Sequence, residues 1–296
     1  MKWMIPLFIL SLLVGCKPSA EEIQSQIKPD PQAFDQFWRQ GKAELTRYSL
    51  KQARYGEIHE GDAVLIFVTE DFLKDEQVKR DYGDDPAHSV LKLNFTKKFN
   101  TGIYPYSLMT SVFTTVNFQE TETPKVSFSG QEWCGHVFSQ LNLKDNVYHA
   151  SGFSYFQREG DMQQELEKVL LEDELWTMVR VAPDTLPLGD VKLLPSLEHS
   201  RLRHQPLKAQ DATLNLVETT EPAFSDQALY AYSAVYQSGR ELHIFFEREA
   251  PYQILGWREK VGSLTTTGVR THWQLLDYWS KNGKKDGALR KELGLD

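Results

Sequence analysis

The chain has 296 residues, 41% of them apolar and 12% aromatic, enough to bury a sizeable core as one large domain or two smaller ones. Its formal charge of −8, with 33 basic against 41 acidic residues, excludes the basic surface that nucleic-acid binding requires. After the N-terminal segment no apolar run reaches the roughly 18 residues of a transmembrane helix, which excludes a later membrane-spanning helix.

Only Lys2 supplies positive charge ahead of the apolar stretch from Trp3 to Val14. A bilayer crossing takes about 20 apolar residues, so this stretch is too short to span and reads as a cleaved signal over residues 1–15. The string Leu13-Val14-Gly15-Cys16 resembles the lipobox of bacterial lipoproteins. That resemblance implies acylation of Cys16 (palmitate among the chains), cleavage just before it, and a membrane partner reached through the N-terminal lipid. Each buried methylene contributes about 0.8 kcal/mol, so several chains hold firmly where one holds marginally. Lys17 stands where an Asp would favour the inner membrane, and the resemblance therefore implies the outer membrane, facing periplasm or cell surface. With Cys16 consumed by lipid, Cys134 has no disulfide partner.

Residues 16–32 are polar and proline-containing, with too little apolar material to offset chain entropy, and are predicted as a flexible tether. Residues 33–296 are predicted as a single β-rich domain. Lys42 to Glu57 alternates, His59-Glu60-Gly61-Asp62 has turn chemistry, and Ala63 to Thr69 is an apolar strand covered on both faces. A second hairpin runs from Ser89 to Phe118 around Asn100-Thr101-Gly102. A third joins Lys125–Leu141 to Val147–Phe156 across Lys144-Asp145-Asn146. Leu166, Val169, Leu170 and Trp176 recur at helical spacing, so one amphipathic helix is predicted around 160–180, followed by a proline-interrupted stretch. Strands resume over Leu207–Val217, Leu229–Tyr236, Glu241–Glu249, Tyr252–Val261 and Leu264–Leu276. The predicted fold is mainly β: a large curved antiparallel sheet, as sandwich or open half-barrel, with that one helix laid across it.

Gln131-Glu132-Trp133-Cys134-Gly135-His136 is the densest chemical stretch. On one continuous strand Glu132, Cys134 and His136 share a face, the ingredients of an activated thiol. Neighbours two apart sit about 7 Å away, however, against the roughly 3 Å that proton transfer needs, and the favoured reading is a buried cysteine acting as a small hydrophobe. Glu57 and His59 would join that face as metal ligands if the strands were neighbours, but no compact ligand motif occurs, and no cofactor is predicted. His199, Arg201 and Arg203 alternate onto one face of a predicted strand next to His204, suited either to a carboxylate, phosphate or acidic glycan or simply to surface ion pairs. Tyr104 and Tyr106 sit in what reads as an elaborate loop from Asn100 to Ser107, the kind of segment that carries binding residues. There is no G-x-S-x-G elbow, phosphate-binding loop or dinucleotide fingerprint.

Residues 52–59, 100–107 and 131–136 resemble a group of uncharacterised bacterial lipoproteins often labelled "septum formation inhibitor (Maf)". Genuine Maf proteins are cytoplasmic α/β pyrophosphatases with a Ser-x-Arg-Arg-type motif near the start. This chain has a lipobox there instead, so no catalytic residue carries over. The expectation is a non-enzymatic envelope module binding a protein, lipid or glycan. The alternatives are a hydrolase or transferase using Cys134 with His136, and a lipid-carrying half-barrel.

Overall fold

A computed structural model describes residues 18–28 and 30–295. The expected lipidation site, Cys16, lies outside them, as does the signal segment. Among the described residues no helix is long and apolar enough to cross a membrane.

The domain is mainly β, as expected. Its first half holds β1 (Ala43–Arg54), β2 (Glu57–Leu73), β3 (Ala87–Thr101), β4 (Tyr104–Thr115), β5 (Lys125–Glu132), β6 (Gly135–Lys144), β7 (Val147–Ser154) and β8 (Met162–Glu167). The second half holds β9 (Leu170–Leu171), β10 (Gly189–Leu194), β11 (Gln210–Glu221), β12 (Ser225–Tyr236), β13 (Glu241–Phe246), β14 (Ile254–Val261) and β15 (Leu264–Leu276). All fifteen form one sheet in the order β8-β7-β6-β5-β4-β3-β2-β1-β15-β14-β13-β12-β11-β10-β9. The first and last strands therefore meet in the middle, while β8 and β9, consecutive in the chain, form the two outer edges. Only Lys168 and Val169 separate those edges in sequence. The three steps from Glu167 to Leu170 span at most about 11 Å, so the sheet has to curl until its edges come near one another. It is an open barrel with a seam.

Helix α3 (Glu172–Val181) follows β9 and leads through Pro183–Thr185 to β10, and these two strands pair in parallel. Parallel neighbours need such a crossover. Every residue of α3 is buried, and it touches both halves of the sheet. Trp176 lies with ring centroids 5.0 Å from Phe95 on β3 and 5.6 Å from Trp257 on β14. The helix is thus the filling of the curled sheet. It begins at Glu172; the earlier part of the segment predicted as helix is the edge strand β8, where Met162, Gln164 and Leu166 alternate with more exposed neighbours. The helical spacing there straddled a strand and a helix.

The turn chemistry also needs correction. The β1–β2 connection is Tyr55-Gly56, both at positive φ, as tight hairpins require. His59 to Asp62 lie inside β2. Gly61 is there because β3 comes close: a Cβ at that position would stand 2.2 Å from the Lys98 carbonyl oxygen. Asp145-Asn146, also both at positive φ, turn β6 into β7 as read from sequence. The supposedly elaborate loop at Asn100–Ser107 is a two-residue turn, with Thr101 paired to Tyr104. Beyond the turn at Cys134, β5 and β6 are separate strands.

Three helices cover the ends and outside. Within the predicted tether, α1 (Ala20–Gln26) is capped by Ser19, whose hydroxyl accepts from the Glu22 amide while the Glu22 carboxylate accepts from the Ser19 amide. Ile23 and Ile27 are buried in the main core, so residues 20–27 are docked. Two isoleucines at helical spacing outweighed the polar composition. Helix α2 (Pro31–Trp38) places Trp38 against Phe67 of β2. On the outer face, α5 (Ala288–Glu292) and the residues after it set Leu293 against Ala43, Leu45 and Val68. That is why Ala63 to Val68 is apolar at both parities.

Candidate functional site

Helix α4 (Leu197–Arg203) carries the residues that sequence placed on a strand. Pro195 ends β10, and Ser196 caps the helix through its hydroxyl, which accepts from the His199 amide at 3.1 Å. His204 in the left-handed region ends it. A helix spreads His199, Arg201 and Arg203 around its axis, and their fates differ accordingly. His199 and Arg201 are buried; Arg203 is exposed.

His199 faces an ionic chamber inside the barrel. Its Nδ1 lies 3.1 Å from Glu259, which also accepts from Arg240 Nε at 2.8 Å. Arg240 clasps Glu172 of α3, and Lys97 donates to Glu198 at 2.7 Å. Burial pushes the Glu259 carboxyl up, but Arg240 and His199 more than reverse this and hold it well below the usual range. The free space here is about 40 Å³, room for about one water. These carboxylates and cations answer one another, and the chamber ties α3 and α4 to the sheet.

A larger space lies on the other side of α4. A cleft of about 420 Å³ opens between β6, β7 and β8 and the segment 197–207. That volume falls in the range of small-molecule sites, about 300–1,000 Å³. Val137, Met162, Leu197 and Leu207 supply apolar walls, and Gln164 ties β8 to the segment by donating to the Leu207 carbonyl at 3.1 Å. Arg201, Arg158, Glu159 and His204 form the polar end.

Arg201 is the unusual member. Its side chain is 7% exposed, yet its Nη1 has no hydrogen-bond partner. The nearest carboxylates, Glu132 and Glu159, stand at 3.7 and 3.8 Å, beyond hydrogen-bond range. Both are engaged elsewhere: Glu132 accepts from the Cys134 amide at 2.7 Å, and Glu159 accepts from Ser154 at 2.8 Å and faces His204 Nδ1 at 2.5 Å. The guanidinium rests on the Phe156 ring, 4.3 Å from its centroid.

The Cys134 readings change. Cys134 is exposed at a hairpin tip, because Trp133 and Cys134 form the turn that joins Glu132 to Gly135. The turn breaks the alternation that would have put Glu132, Cys134 and His136 on one face. A hydrogen bond to Glu132 raises the thiol pKa, the wrong direction for a nucleophile. Among the described residues no hydrogen bond joins Cys134 to His136, and no group of metal-ligating residues gathers. Glu57 is exposed on β2, and His59 Nε2 sits 3.1 Å from the Arg54 carbonyl oxygen instead.

Tyr104 and Tyr106 do meet, in an aromatic group at the strand ends that also includes Tyr55 and Trp133. The hydroxyls of Tyr55 and Tyr106 are 2.7 Å apart, Tyr104 donates to Tyr55 at 3.3 Å, and Tyr104 stacks on Trp133. Tyr106 is buried, whereas Tyr55 and Trp133 are 61% and 68% exposed. Sequence reasoning missed Tyr55, Arg158 and the cleft walls, whose only signal was alternation on strands already assigned.

Curled sheet, buried helix and edge cleft define a barrel-like β domain with an open cleft at its seam. No known protein family matches the chain, and no curated protein is significantly similar to it. Among solved structures it is similar to a beta-barrel-like protein of domain of unknown function DUF1849 from Brucella abortus, with 10% identity and a TM-score of 0.48, over 79% of this chain and 98% of that one.

Proposed function

We propose that this protein is a bacterial envelope lipoprotein, anchored by acylated Cys16 at the outer membrane, whose β domain is a non-enzymatic binding module. The observation that carries the binding part is the seam cleft, with apolar walls and a buried arginine whose Nη1 lacks a partner. A buried cationic donor left unmade is costly, and a ligand that accepts from it recovers that cost. The anchoring part rests on Leu13-Val14-Gly15-Cys16 behind a short apolar run. An exposed Cys134 with a raised thiol pKa and, among the described residues, no hydrogen bond to His136 argues against the hydrolase or transferase alternative built on that pair.

Metabolic labelling with an alkyne analogue of palmitate tests the anchor. The expected result is label on the wild-type chain in the outer-membrane fraction and none on Cys16→Ala. Unlabelled wild-type protein in the cytosol overturns the proposal.

A further inference from the structure

We propose that the seam cleft takes a single-chain anionic amphiphile, its acidic head on Arg201 and its apolar tail along Val137, Met162, Leu197 and Leu207. This rests on the reading of the cleft as the binding site and names the ligand class.

Three features of the site converge. First, Val137 of β6, Met162 of β8, Leu197 and Leu207 stand around Gly152 of β7 and give a tail an apolar interior to replace water. Second, the polar end carries two arginines against one lining carboxylate, Glu159, and that carboxylate already faces His204 and accepts from Ser154. Third, Arg201 is buried with Nη1 unmatched, and Arg158 beside it is exposed at the mouth without an ion pair among the described residues. A planar guanidinium with free N–H groups suits a carboxylate or phosphate by geometry as well as charge. A neutral hydroxyl head accepts from Arg201 without supplying a countercharge or a second acceptor, and a cationic head is repelled. At about 30 Å³ per water, a space of about 420 Å³ holds roughly a dozen waters, which suits one chain. Ser139 on β6 also lines the cleft, so enlarging it fills the tail space while leaving every charge in place.

The test uses the full-length chain carrying Cys16→Ala, so that no attached acyl chain competes; its N-terminal segment is common to all variants and cancels in comparisons. The probe is 11-(dansylamino)undecanoate, displaced by laurate, dodecyl phosphate or dodecanol. Laurate or dodecyl phosphate should displace it at least tenfold better than dodecanol, and the better of the two acids identifies the head. Arg201→Gln should weaken the preferred acid at least tenfold with dodecanol unchanged, Arg201→Lys should recover part of that loss, and Ser139→Phe should weaken all three. Equal displacement by acid and alcohol overturns the anionic head while leaving the cleft as the site. Binding that Ser139→Phe leaves untouched in a variant with wild-type circular dichroism overturns both the head and the cleft. Absence of probe binding to the folded wild-type chain also overturns the ligand class.

Discussion

Arg180 and Glu44 face each other in a two-pronged ion pair with N–O distances of 2.7 and 2.8 Å, their side chains 0% and 1% exposed. Arg180 lies in the last turn of the buried helix α3 and Glu44 is the second residue of β1, so the pair fixes the helix to the strand at the middle of the sheet. Arg180 Nε also donates to the Pro251 carbonyl at 2.9 Å, and the guanidinium lies over Trp38 and Phe67. Every polar atom of the arginine is answered.

Breaking that pair from one side leaves a buried charge alone. Glu44→Leu should cost about 3–5 kcal/mol in urea unfolding, whereas Glu44→Leu with Arg180→Met should recover most of the loss. A single-variant cost below about 1 kcal/mol would show that the pair does not hold the helix.

Two acidic residues of α3 set the pH response. Burial raises Asp173 to about 7 and, chiefly for the same reason, Glu174 to about 7. Their folded-state pKa lies above the unfolded value, so the folded state holds the proton more tightly. Their favourable contribution is complete below about pH 4 and is lost as pH rises through 7. Asp173→Asn should therefore remove about 2 kcal/mol of the stability decline between pH 5 and 8. Glu172 and Glu259 act in the opposite sense, since Arg240 outweighs their burial and they lose stability as pH falls. Denaturation midpoints of wild type and Asp173→Asn across that range decide the matter; parallel curves refute it.

The thiol at the hairpin tip gives a chemical test. Iodoacetamide should modify Cys134 in the folded protein only several-fold more slowly than in the unfolded chain, because the thiol is exposed but its pKa is raised. Glu132→Gln should speed the reaction several-fold at pH 8, since a neighbouring carboxylate accepting from the thiol suppresses the thiolate. Near-complete protection from alkylation in the folded state would return Cys134 to the core.

Gly268 on β15 lies under the indole of Trp257, and a Cβ there would come within 2.1 Å of the ring. The ring also packs on Tyr48, Phe95 and Trp176, which leaves it nowhere to go. Gly268→Ala should destabilise by about 1–3 kcal/mol through overpacking, and thermal unfolding measures it. A neutral result would mean that Trp257 has a second rotamer.

Alternation and turn residues made most strands legible, from Ser89 on β3 to Leu276 on β15. They failed where a local pattern had a distant cause. Gly61 read as a turn because its glycine answers to the approach of β3, and Cys134 read as core because the turn at its own position is not written in Gly or Asn. The basic cluster was found by composition, but only its helical geometry separates buried Arg201 from exposed Arg203.

By itself the sequence determined the β class, the acidic balance and the lipobox-like start, since periodicity, charge and short strings are local properties. Tertiary structure alone decided that β8 and β9 are opposite edges of a curled sheet, that α3 fills it, and that Arg201 borders a cleft with one nitrogen unmatched. Those facts depend on which distant strands pair and on what surrounds a buried charge, and residues far apart in the chain supply both.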